Sequence, residues 1–64
     1  MPENQVVGVL VKRRGRAWLV QVQKRLVGEF VQLETVADGL KLADARAQAE
    51  QTATGYGVQV REIK

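Results

Sequence analysis

Neither cysteine nor histidine occurs in this chain, so only packing and association can hold its 64 residues in one shape. Disulfides and zinc, the usual supports of very small domains, both depend on those residue types. A chain of this length has room for one core, and residues 1–64 are read as a single domain. With 45% hydrophobic residues but only 5% aromatic ones, that core must be built from valine, leucine and alanine rather than from rings.

The same absences narrow the chemistry. Serine is missing as well, and the hydroxyls that remain are Thr35, Thr52, Thr54 and Tyr56. With no imidazole to take a proton, a histidine-activated nucleophile cannot be assembled. The carboxylates are spread singly, and Arg46 with Glu50 reads as an ordinary i,i+4 helix ion pair. Gly55-Tyr56-Gly57 begins like a dinucleotide-binding loop, but Val60 stands at the third glycine position and a strand follows where that motif needs a helix. A helix cap and turn explains it better. The chain therefore reads as a non-enzyme with no cofactor and no metal. The N-terminal Met1-Pro2-Glu3-Asn4-Gln5 is polar and no apolar run exceeds four residues, which predicts a cytoplasmic protein with neither membrane span nor signal peptide.

Hydrophobic spacing predicts the fold. Residues 6–12 are rich in β-branched side chains, residues 17–23 alternate, and residues 26–33 are again apolar, so three strands in an antiparallel meander are expected. Trp18, Val20 and Val22 share one face of the second strand and should form the core face, since side chains alternate across a sheet. Arg13-Arg14-Gly15-Arg16 is the first turn, with Gly15 supplying a positive φ. The period changes at Thr35. Thr35 followed by Asp38 fits a capping box and places a helix start there. On that helix Val36, Gly39, Leu40, Ala43 and Ala47 make one stripe, widened by Leu42, Ala45, Ala49 and Ala53, and Gly55 is the expected left-handed stop. Residues 58–63 alternate as a fourth strand, reached by a right-handed crossover and so parallel to the first. The predicted class is α+β, in the order β-β-β-α-β, with the helix on one sheet face. Val6, Leu10, Leu19, Val31 or Phe30, and Leu33 give the opposite face an apolar character that suits a homodimer.

Charge is distributed unevenly. Residues 1–28 hold six cations and one anion, whereas residues 29–64 hold four cations and six anions. Lys12, Arg13, Arg14 and Arg16 cluster at the first turn, and Lys24 and Arg25 at the second, about 20 Å away at the other end of a shared strand. Cations spaced in this way suit a nucleic-acid backbone, which needs separated positive charges rather than one continuous patch. The same residues would also serve as a solvated hairpin tip. Trp18 behind them could stack on a base, but its place on an apolar face fits burial better.

Trp18 within "WLVQVQ", then Glu34-Thr35, "DGLKLAD" from Asp38 to Asp44, and "GYGVQVR" from Gly55 to Arg61 resemble the pattern of the small host RNA polymerase inhibitor proteins of short-tailed phages. That resemblance covers about 45 residues. It implies a ββαβ fold and a phage protein that regulates transcription by protein–protein contact with the jaw of the polymerase's largest subunit. Arg61 is the one position it carries over, standing where the family has a close arginine pair, and the family's acidic character is not reproduced. "VKRRGRAWLVQV" also resembles the opening strands of the arm-site DNA-binding domains of phage integrases, although those end after their helix.

The sequence thus predicts a small binding module that contacts nucleic acid or a transcription complex through Lys12, Arg13, Arg14 and Arg16, with Lys24 and Arg25 as a second contact. The alternatives are a polymerase inhibitor that meets protein through a sheet edge and Arg61, and a self-associating domain with no ligand. No membrane partner is expected.

Overall fold

The computed structural model describes residues 5–25 and 31–63. Strands β1 (Gln5–Arg14), β2 (Ala17–Arg25) and β3 (Val31–Leu40) precede helix α1 (Leu42–Tyr56) and strand β4 (Val60–Ile63). They form one mixed sheet in the order β3-β2-β1-β4, in which β1 pairs antiparallel with β2 and parallel with β4. The α+β class, the β-β-β-α-β order and the parallel crossover onto the first strand are therefore as the sequence predicts. The predicted third strand begins at Leu26, and its first five positions lie outside the described residues.

One sheet face carries the core. Val9 pairs with Val22 and Val11 with Val20, so their side chains share the face on which α1 lies. Val9, Val11 and Val20 are fully buried against Ala45, Ala49 and Ala53, and Trp18, Ala37, Leu40, Leu42 and Val58 close the margins. The predicted core face of β2 is the observed one. Alanine at every fully buried position of the helix lets its backbone lie close to the sheet, so valine fills the centre and Trp18 and Leu42 pack at its margins.

The helix itself differs from expectation at both ends and in its facing. Thr35 does not cap it. Thr35 Oγ1 accepts a hydrogen bond from Gln21 Nε2 at 3.1 Å across the β2–β3 ladder, and β3 continues to Leu40. Asp38 is likewise occupied, accepting from the Gly39 backbone N–H at 2.7 Å and from Arg14. β3 is extended by two irregularities, where Trp18/Val20 and Val20/Gln21 of β2 face Leu40/Ala37 and Ala37/Thr35. Gly39, with φ of 68°, provides the left-handed residue that such a bulge uses. The helix then starts after Lys41, with no side-chain cap. Its buried stripe is Ala45, Ala49 and Ala53, while Ala43 and Ala47, assigned to the core from sequence, are exposed. The predicted stripe was phased from residues 36–40, which prove to be strand.

Gly55 is not the cap either; it lies inside α1. The left-handed residue is Gly57, at φ 70° and ψ 34°, with Val58 N–H donating to the Ala53 carbonyl at 3.0 Å in the six-to-one closure of a Schellman end. Two substitutions should therefore move stability in opposite directions in urea melts. Gly57→Ala forces a side chain into the left-handed region and is expected to cost about 1–2 kcal/mol. Gly55→Ala meets nothing within 4 Å and is expected to stabilise by about 0.5 kcal/mol. Equal losses at both positions would contradict this assignment of the helix end.

Candidate nucleic-acid interface

The first turn is built as the sequence suggests. Residues 15 and 16 join β1 to β2, Gly15 adopts φ of 65°, and Arg13 Nε donates to the Gly15 carbonyl at 3.0 Å. Arg13, Arg14 and Arg16 are exposed at this end of the sheet, and Lys12 is half-buried just behind them.

Strand alternation then divides the cations between two faces. Arg13 pairs with Trp18 and so points to the helix side, whereas Arg14, opposite Ala17, and Lys12, opposite Leu19, point to the uncovered side. Arg14 also reaches Asp38, with Nη1 donating to Oδ2 at 3.2 Å. Both partners are substantially exposed, at 73% and 47%, so the pair contributes only about 0–1 kcal/mol and another anion can replace the carboxylate cheaply.

The second pair of cations is split by the same alternation. Lys24 does not lie in a turn but within β2 on the helix side, paired with Glu34 of β3. The hydrogen bond to Glu34 raises its pKa above the ordinary lysine value, in the direction opposed by partial desolvation. Arg25, the next residue, is exposed on the uncovered side opposite Gln5. Among the described residues, Lys24 is thus engaged within the fold and Arg25 is not. The hairpin cluster and Arg25 lie further apart than the sequence suggests, since eight steps of β2 separate Ala17 from Arg25, or about 26 Å at ~3.3 Å per residue.

The fourth strand adds a cation to the uncovered side. Leu10 pairs with Arg61 and Lys12 with Ile63, while Val9 pairs with Val60 and Val11 with Glu62. Arg61 and Ile63 therefore face away from the helix, and Glu62 faces it. There Glu62 takes both ends of the Arg46 fork, from Nε at 2.6 Å and Nη2 at 3.1 Å. This bond to Glu62 raises the Arg46 pKa. Arg46 was expected to pair with Glu50 along the helix; the strand beneath it supplies the better-oriented carboxylate.

Among the described residues the uncovered face thus holds Lys12, Arg14, Arg25 and Arg61 against the single carboxylate of Asp38. The helix side holds Arg13, Lys24, Lys41 and Arg46 against Glu34, Asp44, Glu50 and Glu62, and is balanced. Apart from Arg16, which sits in the turn between the faces, the charge surplus of the described residues therefore belongs to one face. Gln21 and Gln23 lie in the middle of that face by register. Neither glutamine was picked out in the sequence, and Arg61 was carried over only by resemblance; strand alternation combined with the parallel register of β4 is the signal that collects all three.

The apolar character expected of this face is only partly present. Leu10 and Leu19 are 8% and 7% exposed within the monomer, so they offer little to a second copy. The exposed hydrophobics here are Val31 and Leu33 on β3 and Ile63 on β4, at the edges of the sheet. Val6 lies on the helix side, opposite Lys24, and Phe30 lies outside the described residues.

Among the described residues no group of three metal-ligating side chains occurs, and no helix is long and apolar enough to cross a membrane. No protein-family model matches the chain, and neither a curated protein nor a solved structure shows significant similarity to it.

Proposed function

We propose that this chain is a non-enzymatic binding module that contacts nucleic acid through its basic β1–β2 hairpin, with Lys12, Arg13, Arg14 and Arg16 as the principal contacts and Arg25 as a distant second. The observation that carries the reading is the charge of the hairpin end, where Arg13, Arg14 and Arg16 are exposed, together with the sheet face that continues from Lys12 and Arg14. Among the described residues that face holds four cations to one carboxylate, while the helix side, Arg13 included, is balanced. Internal pairing alone would have placed acids beside these cations, as it does for Lys24 and Arg46. Arginine at a hairpin tip can follow phosphate oxygens in bidentate fashion, and the strands behind it fix the spacing.

The test is a salt titration of binding to a DNA oligonucleotide followed by fluorescence anisotropy. Five contacts of this kind are expected to give a slope of log K against log salt of about −4.5, at ~0.9 per neutralised phosphate on a duplex. A slope near zero, or no binding at low salt, overturns the proposal. Capture of RNA polymerase subunits that survives nuclease treatment would instead favour a protein-binding module acting through Arg61 and the β4 edge.

A further inference from the structure

Granted that nucleic-acid reading, we propose that the partner is a duplex, lying across the uncovered sheet face rather than touching the hairpin alone. The cations of this face are spread in two directions. Arg14 and Arg25 are separated by most of the length of β2, about 26 Å at ~3.3 Å per residue, and Arg61 stands two strands away from β2 across the sheet, about 10 Å at ~4.8 Å per strand. A single strand presents one line of phosphates and would have to be bent and ordered to meet such an array. A duplex presents two phosphate rows on a stiff frame, separated across a groove about 12 Å wide, and meets it without that cost.

Three further observations fit this partner. Arg61 has no ion-pair partner among the described residues, and a groove of about 280 Å³ runs beside it, lined by Gly8, Leu10, Gln23 and Val60 among others. Gly8 contributes no side chain there, and the polar residues that line it are Gln23, Gln59 and Arg61. Gln21 and Gln23 between the cations offer donors and acceptors to base edges in a groove. Among the described residues, Trp18 packs against the core on the other side and Tyr56 belongs to α1, so neither of these rings is placed on this face to stack on an unpaired base.

The inference is tested with a 20-base-pair DNA duplex and its isolated strands, bound at 0.1 M salt by the intact chain and by two charge reversals. The duplex is expected to bind at least ten-fold more tightly than either strand. Arg61→Glu is expected to weaken duplex binding about ten-fold, one phosphate contact being worth about eight-fold at this salt, and Arg61→Gln somewhat less. Lys41→Glu, at the start of α1, is expected to leave it within two-fold. Equal or tighter binding of single strands would overturn the duplex proposal while leaving nucleic-acid binding intact. Loss of affinity in Lys41→Glu matching that in Arg61→Glu would overturn the choice of face. Failure to bind any of the probes would overturn the underlying reading as well.

Discussion

Replacing Arg13, Arg14 and Arg16 together by alanine is expected to lower affinity for duplex DNA about 500-fold at 0.1 M salt and to flatten the salt slope by about 2.7. Both figures follow from one phosphate for each arginine, with log K falling by ~0.9 per decade of salt for each contact. The fold should survive, because all three side chains are exposed and, among the described residues, only Arg13 and Arg14 make side-chain hydrogen bonds. Arg14 gives up a surface pair with Asp38 and Arg13 a bond to the Gly15 carbonyl at the turn. An exposed pair of this kind contributes about 0–1 kcal/mol, so the variant should melt within a few degrees of the parent. Anisotropy measured on the parent and the variant over the same salt range separates the outcomes. Unchanged affinity would show that the hairpin is a solvated tip and nothing more.

Ala49→Leu is expected to be the most damaging conservative change in the core. Ala49 is fully buried between α1 and the sheet, and with Ala45 and Ala53 on either side of it along the stripe the helix lies close to the strands there. Three extra carbon atoms must push helix and sheet apart or force Val11 and Val20 out of their rotamers, at about 1–3 kcal/mol. In a domain of this size each kcal/mol moves Tm by roughly 4–8 °C, so a fall of roughly 4–24 °C is expected in thermal melts followed by circular dichroism. Ala47→Leu, two residues earlier on the exposed side of the same helix, should stay within about 0.5 kcal/mol of the parent. The comparison is informative because sequence spacing alone assigns both Ala47 and Ala49 to the buried stripe, and the structure keeps only Ala49 there.

Those two alanines show where the sequence is legible and where it is not. Strand periodicity is a local property, and the alternation of Trp18, Val20 and Val22 with Leu19, Gln21 and Gln23 identified the core face of β2 without help from elsewhere in the chain. The parallel placement of β4 followed from chain-connection rules that hold for any helix crossing between strands of one sheet. The helix start was not local. Thr35 and Asp38 have the residue types and spacing of a cap, but Gln21 on the neighbouring strand and Arg14 two strands away take up their oxygens. Those competing partners exist only in the folded sheet. With the start misplaced by seven residues, from Thr35 to Leu42, the facing of an alanine-rich helix could not be recovered from its composition, since alanine occurs on both sides of it.

The candidate interface divides in the same way. The hairpin arginines could be read directly, because Gly15 and four cations within six positions need no tertiary information. Lys24 and Arg25 could not be told apart, yet alternation sends one to Glu34 and leaves the other facing outward. Arg61 became a neighbour of the hairpin cations only when β4 was placed beside β1, whereas Gln21 lies on β2 of the hairpin itself. Charge surplus on one face is thus a tertiary feature made from residues that are scattered along the chain.

Chemical-shift mapping in a duplex titration examines that surplus at its own location. The side-chain amide signals of Gln21 and Gln23, together with the Arg61 Nε–H signal, should move as DNA is added, while those of Gln48 and Gln51 on α1 stay in place. Movement confined to the helix glutamines, with Gln21, Gln23 and Arg61 unaffected, would contradict the assignment of binding to the uncovered sheet.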